Sequence, residues 1–317
     1  EGAGFTLVME RAPHLLIEGI AIAAIALGAG RAFIYLRGEY GPLVATLESA
    51  LAEAAIALEG LEVTVHRGAG SYLCGEETAL IASLEGGRGE PRPRPPYPAD
   101  CGLYGAPTIV HNVETLASIP LVVDGGGDAY RRISPRLFCV SGKVRRPGVF
   151  ELPRGTPLTV LLEAAGGVAG LLKGVIVGGL SSVILTAEEA EGLVLDDDSC
   201  RSRGTALGTG AVIVLNEGVD LPSFARQAAS FYAHESCGQC VPCREGTFAL
   251  SRQLDAIEEG RGREGDLDCI LGICRVMEPA SLCPAGGTFA ASIAAMVTKF
   301  RGEFEERISS VADDRWP

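Results

Sequence analysis

The sequence lacks both an excess of positive charge and a long hydrophobic run. Its 317 residues include 27 lysines and arginines against 40 aspartates and glutamates, for a formal net charge of -13. A surface this acidic repels phosphate backbones and anionic lipids, so the composition disfavours a nucleic-acid-binding or membrane-surface protein. The most hydrophobic stretch, residues 20–27, is too short to cross a bilayer. We therefore expect a buried helix there and no transmembrane segment.

Aromatic residues are also scarce, at 6% of the chain, and the apolar content is mainly alanine, valine, leucine and isoleucine. This composition suits an α/β core with small packed helices. The 42 glycines fall in short runs rather than in repeats, which indicates tight backbone turns. The ten cysteines come without a recognisable signal peptide, in a chain too large to need a disulfide framework. We therefore expect a reducing compartment.

The first part of the chain alternates between helical and strand patterns. Helices are predicted over residues 13–27 and 43–58, and strands over residues 31–36 and 61–66. This alternation is typical of parallel βαβ units. Further helices are predicted over residues 76–85 and from residue 112. Between them, five prolines in residues 91–98 predict an extended segment.

The pattern changes from residue 136 onward. A β-hairpin is predicted over residues 137–151, followed by a helix over residues 158–165 and a strand over residues 174–177. Helical periodicity dominates from Leu221 to the end of the sequence. We therefore expect three domains, with boundaries at residues 1–133, 134–220 and 221–317.

The strongest chemical signal is a run of three cysteines, each separated by two residues. Cys237, Cys240 and Cys243 can present three thiolates to one compact centre, and a fourth ligand must then come from elsewhere. Four thiolates, with three close in sequence and one remote, are typical of a cubane iron–sulfur cluster. Cys283 precedes a proline, as such a ligand commonly does, and is favoured over the competing Cys269 and Cys274.

Two other readings of the cysteine motif remain open. Structural zinc more often uses two separated cysteine pairs, but a zinc site is compatible with the residue types. Cysteines without any metal are the other reading. The remaining cysteines have no partner pattern and are expected to be small buried side chains: Cys74, Cys101, Cys139 and Cys200.

The second signal is the glycine-rich segment of residues 67–80. It follows a predicted strand and opens a predicted helix, so Gly68 and Gly70 can bring backbone amides close to a phosphate. The segment lacks the Gly-Lys-Ser/Thr ending of a Walker loop. Glu76 and Glu77 at the helix start suit ribose hydroxyls or a carboxamide better than a phosphate. An ordinary turn is the alternative.

Together these motifs resemble the flavoprotein (51 kDa-type) subunit of respiratory complex I. The same module occurs in NAD-reducing hydrogenases and NAD-dependent formate dehydrogenases. The resemblance runs from about residue 7 to about residue 308 and keeps the order of all motifs. The matching segments are VME at 8–10, PHLLIEG at 13–19, YLRGEY at 35–40, GAGSYLCGEETAL at 68–80, SLEG at 83–86, PPYP at 95–98, GLYG at 102–105, NVETLA at 112–117 and ESCGQCVPCREG at 235–246.

The resemblance implies a fold, cofactors and partners. The fold is α/β: a Rossmann-like FMN- and NADH-binding domain, a ubiquitin-like β-grasp domain, and a C-terminal helical bundle carrying a [4Fe-4S] cluster. The implied activity is an NADH dehydrogenase subunit that exchanges hydride between NADH and FMN and passes single electrons to the cluster. The implied partners are a small thioredoxin-like [2Fe-2S] subunit and a larger iron–sulfur subunit.

The resemblance also assigns roles to individual residues. It implies that residues of the glycine-rich segment contact flavin and nicotinamide, that residues near 112 lie by the FMN phosphate, that Tyr97 stacks on adenine, and that Arg94 replaces a lysine. No catalytic acid or base is expected, because hydride transfer to a flavin needs none. The implied cofactor-binding residues, with the two loop glycines, are Gly68, Gly70, Tyr72, Gly75, Glu76, Glu77, Arg94, Tyr97, Val110, Asn112 and Thr115.

The sequence departs from the family pattern in three places, one of which is a tight spacing of the matching segments near residues 58–61 and 171–175. Position 111 is histidine where asparagine is frequent, and most of the N-terminal glycine-rich flavin loop is not found, so the first domain is expected to be shortened. These departures leave an alternative function open. In that alternative the chain is a non-catalytic iron–sulfur scaffold whose nucleotide site has been lost.

Overall fold

A computed structural model describes residues 3–313, with side chains up to residue 308. The described residues form two compact units, one ending at Pro135 and the other beginning at Arg136. Each unit is described by itself below, as the N-terminal unit and the C-terminal unit. Of the helices that the structure describes, none combines the length and the apolar character needed to cross a membrane.

The N-terminal unit is built around two parallel strands. These are β1 (Arg31–Leu36) and β2 (Glu62–Arg67), paired so that Tyr35 lies opposite His66. Helices cover the apolar side chains of the strands, as the alternating pattern predicts. The helices are α1 (Ala3–Arg11), α2 (Pro13–Leu27), α3 (Leu43–Glu53), α4 (Glu77–Leu84), α5 (Val113–Gly125) and α6 (Gly127–Ile133), with 3-10 turns at Gly38–Tyr40, Tyr72–Gly75 and Leu103–Gly105.

The core of the N-terminal unit lies between these helices and the strands. It includes Leu16 and Ile20 of α2, Ile34 and Leu36 of β1, and Leu47 of α3, all buried. Burying an aliphatic side chain of this size contributes about 1.5–3 kcal/mol. This buried core anchors strand β1, which pairs with β2. The glycine-rich segment begins directly after β2.

Two expectations for this unit are corrected. The helix predicted over residues 43–58 ends at Glu53, because the chain turns to bring Leu58 into a buried cluster with Ile17 and Ala50. The run predicted to be buried over residues 20–27 is buried on one face only. Its end is at the surface, where Ile25 is 83% exposed.

The C-terminal unit begins with a five-stranded mixed sheet of order β4-β3-β7-β5-β6. Strand β3 is parallel to β7, and β5 is antiparallel to both β7 and β6. The predicted hairpin corresponds to the neighbouring strands β3 and β4, whereas β6 and β7 were not predicted. The elements are β3 (Pro135–Gly142), β4 (Gly148–Pro153), α7 (Leu158–Ala164), β5 (Leu172–Val177), β6 (Ile184–Thr186), α8 (Asp197–Ser202) and β7 (Ala211–Asn216).

Five helices complete the C-terminal unit. The phenol of Tyr232 stacks on Phe289 with ring centroids 4.2 Å apart, and its hydroxyl donates to the carbonyl oxygen of Leu180 at 2.7 Å. Lys173 of β5 bonds Glu303 at 2.7 Å, which also ties the sheet to the helices. The helices are α9 (Leu221–Glu235), α10 (Val241–Glu258), α11 (Asp266–Ala280), α12 (Pro284–Lys299) and α13 (Arg301–Asp313).

The expected domain boundaries stay predictions. The boundary near residue 134 lies close to the division between the two compact units, whereas the sheet and the helices on either side of residue 220 belong to one unit. Hydrogen bonds such as the one from Tyr232 to Leu180 join them.

Close packing of α10 on α11 depends on Gly246. A Cβ atom at this position would lie 2.4 Å from the sulfur of Met277. We expect Gly246→Ala to destabilise the chain by about 1–3 kcal/mol, because overpacking forces the neighbours to move. Gly302→Ala in α13 is the matched control, since no atom lies within 4 Å of its Cβ position, and alanine there should stabilise by up to about 1 kcal/mol. Urea unfolding measures both. Equal free energies of unfolding for the two variants would contradict the packing argument.

Candidate functional site

The glycine-rich segment connects β2 to α4. Gly68 is buried directly after the strand, and the 3-10 turn Tyr72–Gly75 leads to Glu76, the N-cap of α4. One carboxylate oxygen of Glu76 accepts hydrogen bonds from the amides of Thr78 and Ala79, at 3.0 and 2.9 Å. This cap satisfies donors that the first turn of a helix otherwise leaves unpaired. Capping thus fixes Glu76 and places the next residue, Glu77, on the first turn.

Arg94 joins the two acidic residues. Its guanidinium forms an ion pair with the second carboxylate oxygen of Glu76, and lies 3.0 Å from a carboxylate oxygen of Glu77. Both carboxylates are half-buried, so the pairing is less screened than at an open surface. The structure thus brings together three of the residues that the resemblance assigns to the nucleotide.

The proline-rich segment is held against α4 by Arg92. The backbone amide of Arg92 donates to the hydroxyl of Thr78 at 2.8 Å, and its guanidinium pairs with Glu85. That pairing lowers the pKa of Glu85 from its ordinary value. A cavity of about 440 Å³ lies between the segment and α4. It is lined by Thr78, Ile81, Arg92, Pro93, Pro95, Pro96, Pro98 and Cys101.

The remaining implied nucleotide residues lie on exposed or half-buried backbone. Tyr97 is 54% exposed, as an aromatic ring available for stacking would be. Asn112 is the N-cap of α5 and accepts from the amide of Glu114 at 2.8 Å. Val110 precedes this helix start, and Thr115 lies on its first turn. The start of a helix presents free amides and a positive dipole end, which suits a phosphate.

Three of the four candidate ligand cysteines lie at two helix starts, and Cys237 lies in the loop before the first of them. Cys240 is the N-cap of α10, with Cys243 on its first turn, and Cys283 is the N-cap of α12. The sulfur of Cys283 accepts from the amides of Ala285 and Gly286. A Cβ at Gly286 would meet the Ser281 hydroxyl oxygen at 2.2 Å, so only glycine allows this close approach. Positive helix ends favour thiolates over thiols.

Other candidate thiols raise the pKa values of Cys243 and Cys283. Burial, followed by the Ser236 hydroxyl and the other three thiols, sets the pKa of Cys243, which is raised to about 11. Burial also raises the pKa of Cys283, with smaller contributions from Cys237 and Cys240. The four thiolates are therefore unfavourable together unless a positive centre lies between them.

The number and chemistry of the donors suit an iron–sulfur cluster. Among residues 3–313, no three histidine, cysteine, aspartate or glutamate side chains are grouped so that they could hold a metal ion. Four thiolates, three of them close in sequence and one remote, are the donor set typical of a cubane. The residues present thus fit the group that the motif predicts.

The other cysteines lie apart from this cluster of thiols. Cys274 is buried in α11, which raises its pKa to about 12, and Cys269 on the same helix is exposed. The expectation that the unpatterned cysteines are buried holds for Cys74 and Cys200. It is wrong for Cys101, which is exposed beside the proline-rich segment because the turn there keeps it at the surface, and Cys139 is half-buried.

Two side chains beside the sites were missed by sequence reasoning. Ser236 lies with its hydroxyl 3.4 Å from the sulfur of Cys243, and its position next to the cysteine motif was the available signal. Arg92 anchors the proline-rich segment through Thr78 and Glu85, and no local pattern marks it.

The family models divide the chain in the same order as these sites. Residues 6–121 match the Nuo51 FMN-binding domain, residues 137–173 an SLBB domain, and residues 223–307 the iron–sulfur binding region of NADH-ubiquinone oxidoreductase-F. The fold and sites thus define a flavin- and iron–sulfur-binding subunit of the 51 kDa type. Its cofactors are FMN and a [4Fe-4S] cluster.

Similar proteins identify the family. The F 2 subunit of NADH-quinone oxidoreductase in Rhizobium meliloti (strain 1021) is 41% identical over 95% of this chain and 76% of its own length. The F subunit of the Mycobacterium tuberculosis (strain ATCC 25618 / H37Rv) enzyme is 44% identical over 94% and 71%. That of Aquifex aeolicus (strain VF5) is 44% identical over 95% and 73%. The chain belongs to the family of NADH-quinone oxidoreductase F subunits.

A solved structure supports the fold. The crystal structure of an NAD+-reducing [NiFe]-hydrogenase in the H2-reduced state matches with a TM-score of 0.90 and 36% identity. The match covers 96% of this chain and 54% of the hydrogenase chain. This chain therefore spans about half the length of that hydrogenase chain. The match confirms the α/β architecture with C-terminal helices that the sequence predicts.

The choice of Cys283 over the cysteines of α11 can be tested by iron content. We expect Cys283→Ala to lose most of its iron and acid-labile sulfide, because it removes a thiolate at the start of α12. Cys269→Ala is the matched control and should keep both, since its side chain is exposed on α11. The measurement is the content of iron and acid-labile sulfide per chain after anaerobic purification. The reverse ranking would show that Cys283 is not a ligand.

Proposed function

We propose that this chain is an NADH dehydrogenase subunit that exchanges hydride between NADH and FMN and passes single electrons to the [4Fe-4S] cluster. The observation that carries the proposal is the Arg94 bridge to Glu76 and Glu77 at the start of α4, in a chain that also holds four interacting thiols. When bound, FMN supplies the conversion between the two electrons of a hydride and the single electrons that the cluster takes.

The residues at the start of α4 bind and orient the nucleotide. The carboxylates of Glu76 and Glu77 accept hydrogen bonds from ribose hydroxyls, and Arg94 keeps them neutralised beside an anionic ligand. Tyr97 stacks on the adenine ring, and Tyr72 with Gly75 borders the flavin and nicotinamide. The capped helix keeps this geometry fixed before the nucleotide arrives, so that little ordering is required on binding.

The remaining assignments follow from the same proposal. Val110, Asn112 and Thr115 near the start of α5 would hold the FMN phosphate, and the amides of Gly68 and Gly70 after β2 would border the flavin. Functional domains cover residues 1–133, 134–220 and 221–317. The proposed ligands of the cluster are Cys237 in the loop before α10, Cys240 and Cys243 at the start of α10, and Cys283 at the start of α12.

The chain works within an assembly of several redox subunits. The relatives are subunits of NADH-quinone oxidoreductases, and the structural match comes from a hydrogenase. We propose a small thioredoxin-like [2Fe-2S] subunit and a larger iron–sulfur subunit as the partners. We place the assembly in the cytoplasm, or at the cytoplasmic or matrix face of a membrane.

The proposed activity is tested by following the visible spectrum of the anaerobically purified assembly during addition of NADH. We expect the flavin band to bleach rapidly and the iron–sulfur absorbance to bleach after it, because the flavin is the first acceptor. An iron–sulfur absorbance that does not change when NADH is added, with no flavin released on denaturation, would favour the non-catalytic scaffold instead.

The Arg94 bridge gives a second test. We expect Arg94→Gln to raise the KM for NADH about tenfold, because two unneutralised carboxylates then face an anionic ligand, with kcat changed much less. Arg94→Lys should lie in between, since it keeps the charge but not the forked geometry. Arg88→Gln removes an exposed arginine whose carboxylate partner is Glu90, and serves as the control. Steady-state kinetics with an unchanged KM in Arg94→Gln would reject the assigned role.

A further inference from the structure

Tyr35 lies beside the glycine-rich segment but has no place in the site described above. It is near the end of β1, and its ring stacks on His66 of β2 with centroids 5.6 Å apart and planes 22° apart. The two rings face each other because the strands pair Tyr35 with His66. The stack fixes the direction of the tyrosine ring, so the hydroxyl reaches beyond the sheet towards the loop.

The hydroxyl of Tyr35 contacts the 3-10 turn and helix α4, which both follow the two glycines. It lies 2.9 Å from the hydroxyl oxygen of Ser83 on α4, and it also hydrogen-bonds the buried thiol of Cys74 in the 3-10 turn. Burial, as the largest cause, raises the pKa of Tyr35 to about 12. The hydroxyl therefore stays neutral through the physiological range and can both donate and accept.

The same hydroxyl supports the first glycine of the segment. A Cβ atom at Gly68 would lie 2.2 Å from the hydroxyl oxygen of Tyr35 and 2.5 Å from the ring carbon that bears it. The backbone after β2 therefore rests directly on the phenol. Only glycine permits this approach, because any side chain would push the segment away.

Tyr35 thus touches three points of one continuous segment. Gly68 and Cys74 precede the acidic pair Glu76 and Glu77, and Ser83 follows it on α4. The hydroxyl of Tyr35 connects the turn before the acidic pair to the helix after it. This connection limits how far the acidic pair can move. The hydroxyl contacts the segment rather than the acidic pair, so Tyr35 acts on the nucleotide site through this segment.

We infer that Tyr35 is a positioning residue for the nucleotide site, holding the segment of residues 68–83 in the conformation that binds NADH. This inference rests on the proposed function. Preorganisation of a loop lowers the ordering cost of binding. Its loss therefore weakens affinity for NADH, while the reacting atoms, which Tyr35 does not touch, keep their chemistry once NADH is bound.

The test is Tyr35→Phe in the complete assembly, with the full chain used for binding measurements. Phenylalanine keeps the stack on His66 and removes only the hydroxyl. We expect the Kd and KM for NADH to rise about fivefold, the factor that one hydrogen bond of ordinary net strength gives, and kcat to change less than about twofold. Hydrogen exchange of the amides of residues 68–83 should become faster.

Two further variants separate positioning from general stability. Tyr40→Phe removes the hydroxyl of another half-buried tyrosine in the same unit, packed on its core, and should leave the Kd and the exchange rates unchanged. Ser83→Ala removes one partner of the hydroxyl and should raise the Kd by less than Tyr35→Phe. The double variant Tyr35→Phe with Ser83→Ala should be no weaker than Tyr35→Phe alone, because both changes remove the same contact.

The outcomes distinguish this inference from the proposed function. An unmodified chain that binds NADH but reduces no cluster would reject the dehydrogenase proposal, while the Kd and the exchange rates still decide the role of Tyr35. An unchanged Kd in Tyr35→Phe would overturn the inference. A lower unfolding temperature without any change in Kd or in local exchange would also overturn it and assign Tyr35 to the core alone.

Discussion

The constraint on the helices of the C-terminal unit is the mutual opposition of four thiols, one in the loop before α10 and three at the starts of α10 and α12. Burial raises the pKa of Cys243 to about 11, and the neighbouring thiols oppose its ionisation further. Helix dipoles and the amides that bond Cys283 offset part of this cost. A bound cluster supplies the positive charge that completes the balance. The close packing of α10, α11 and α12 serves this requirement, since glycines 246 and 286 let the helices approach.

In the N-terminal unit, two adjacent negative side chains are balanced by an arginine. Glu76 and Glu77 are adjacent acids that would repel an anionic nucleotide, and Arg94 neutralises them from the proline-rich segment. The segment itself is held by Arg92 through Thr78 and Glu85. In both units the charged groups sit at a helix start, where the backbone dipole and the free amides add to the field of the side chains.

Several helices and strands could be predicted from local sequence patterns. Helix α2 and strand β1 begin and end where periodicity predicts, and α4 begins within one residue of its predicted start. Strands β6 and β7 were not predicted because short apolar runs fit a helix or a strand equally well without their sheet partners. The early end of α3 depends on Leu58 reaching a core that lies outside its own segment. Local propensity does not encode such distant contacts.

The sequence by itself determined the chemistry of this protein: three cysteines at regular spacing, a fourth before a proline, and two acids at the start of a helix after glycines. These signals are local, since each depends on residues a few positions apart. Only the tertiary structure decided which distant groups meet them. Arg94 reaches the acidic pair, Ser236 lies 3.4 Å from the sulfur of Cys243, and Tyr35 lies under the glycine-rich segment. Each of these contacts joins separate elements, and their meeting depends on how the helices and strands pack.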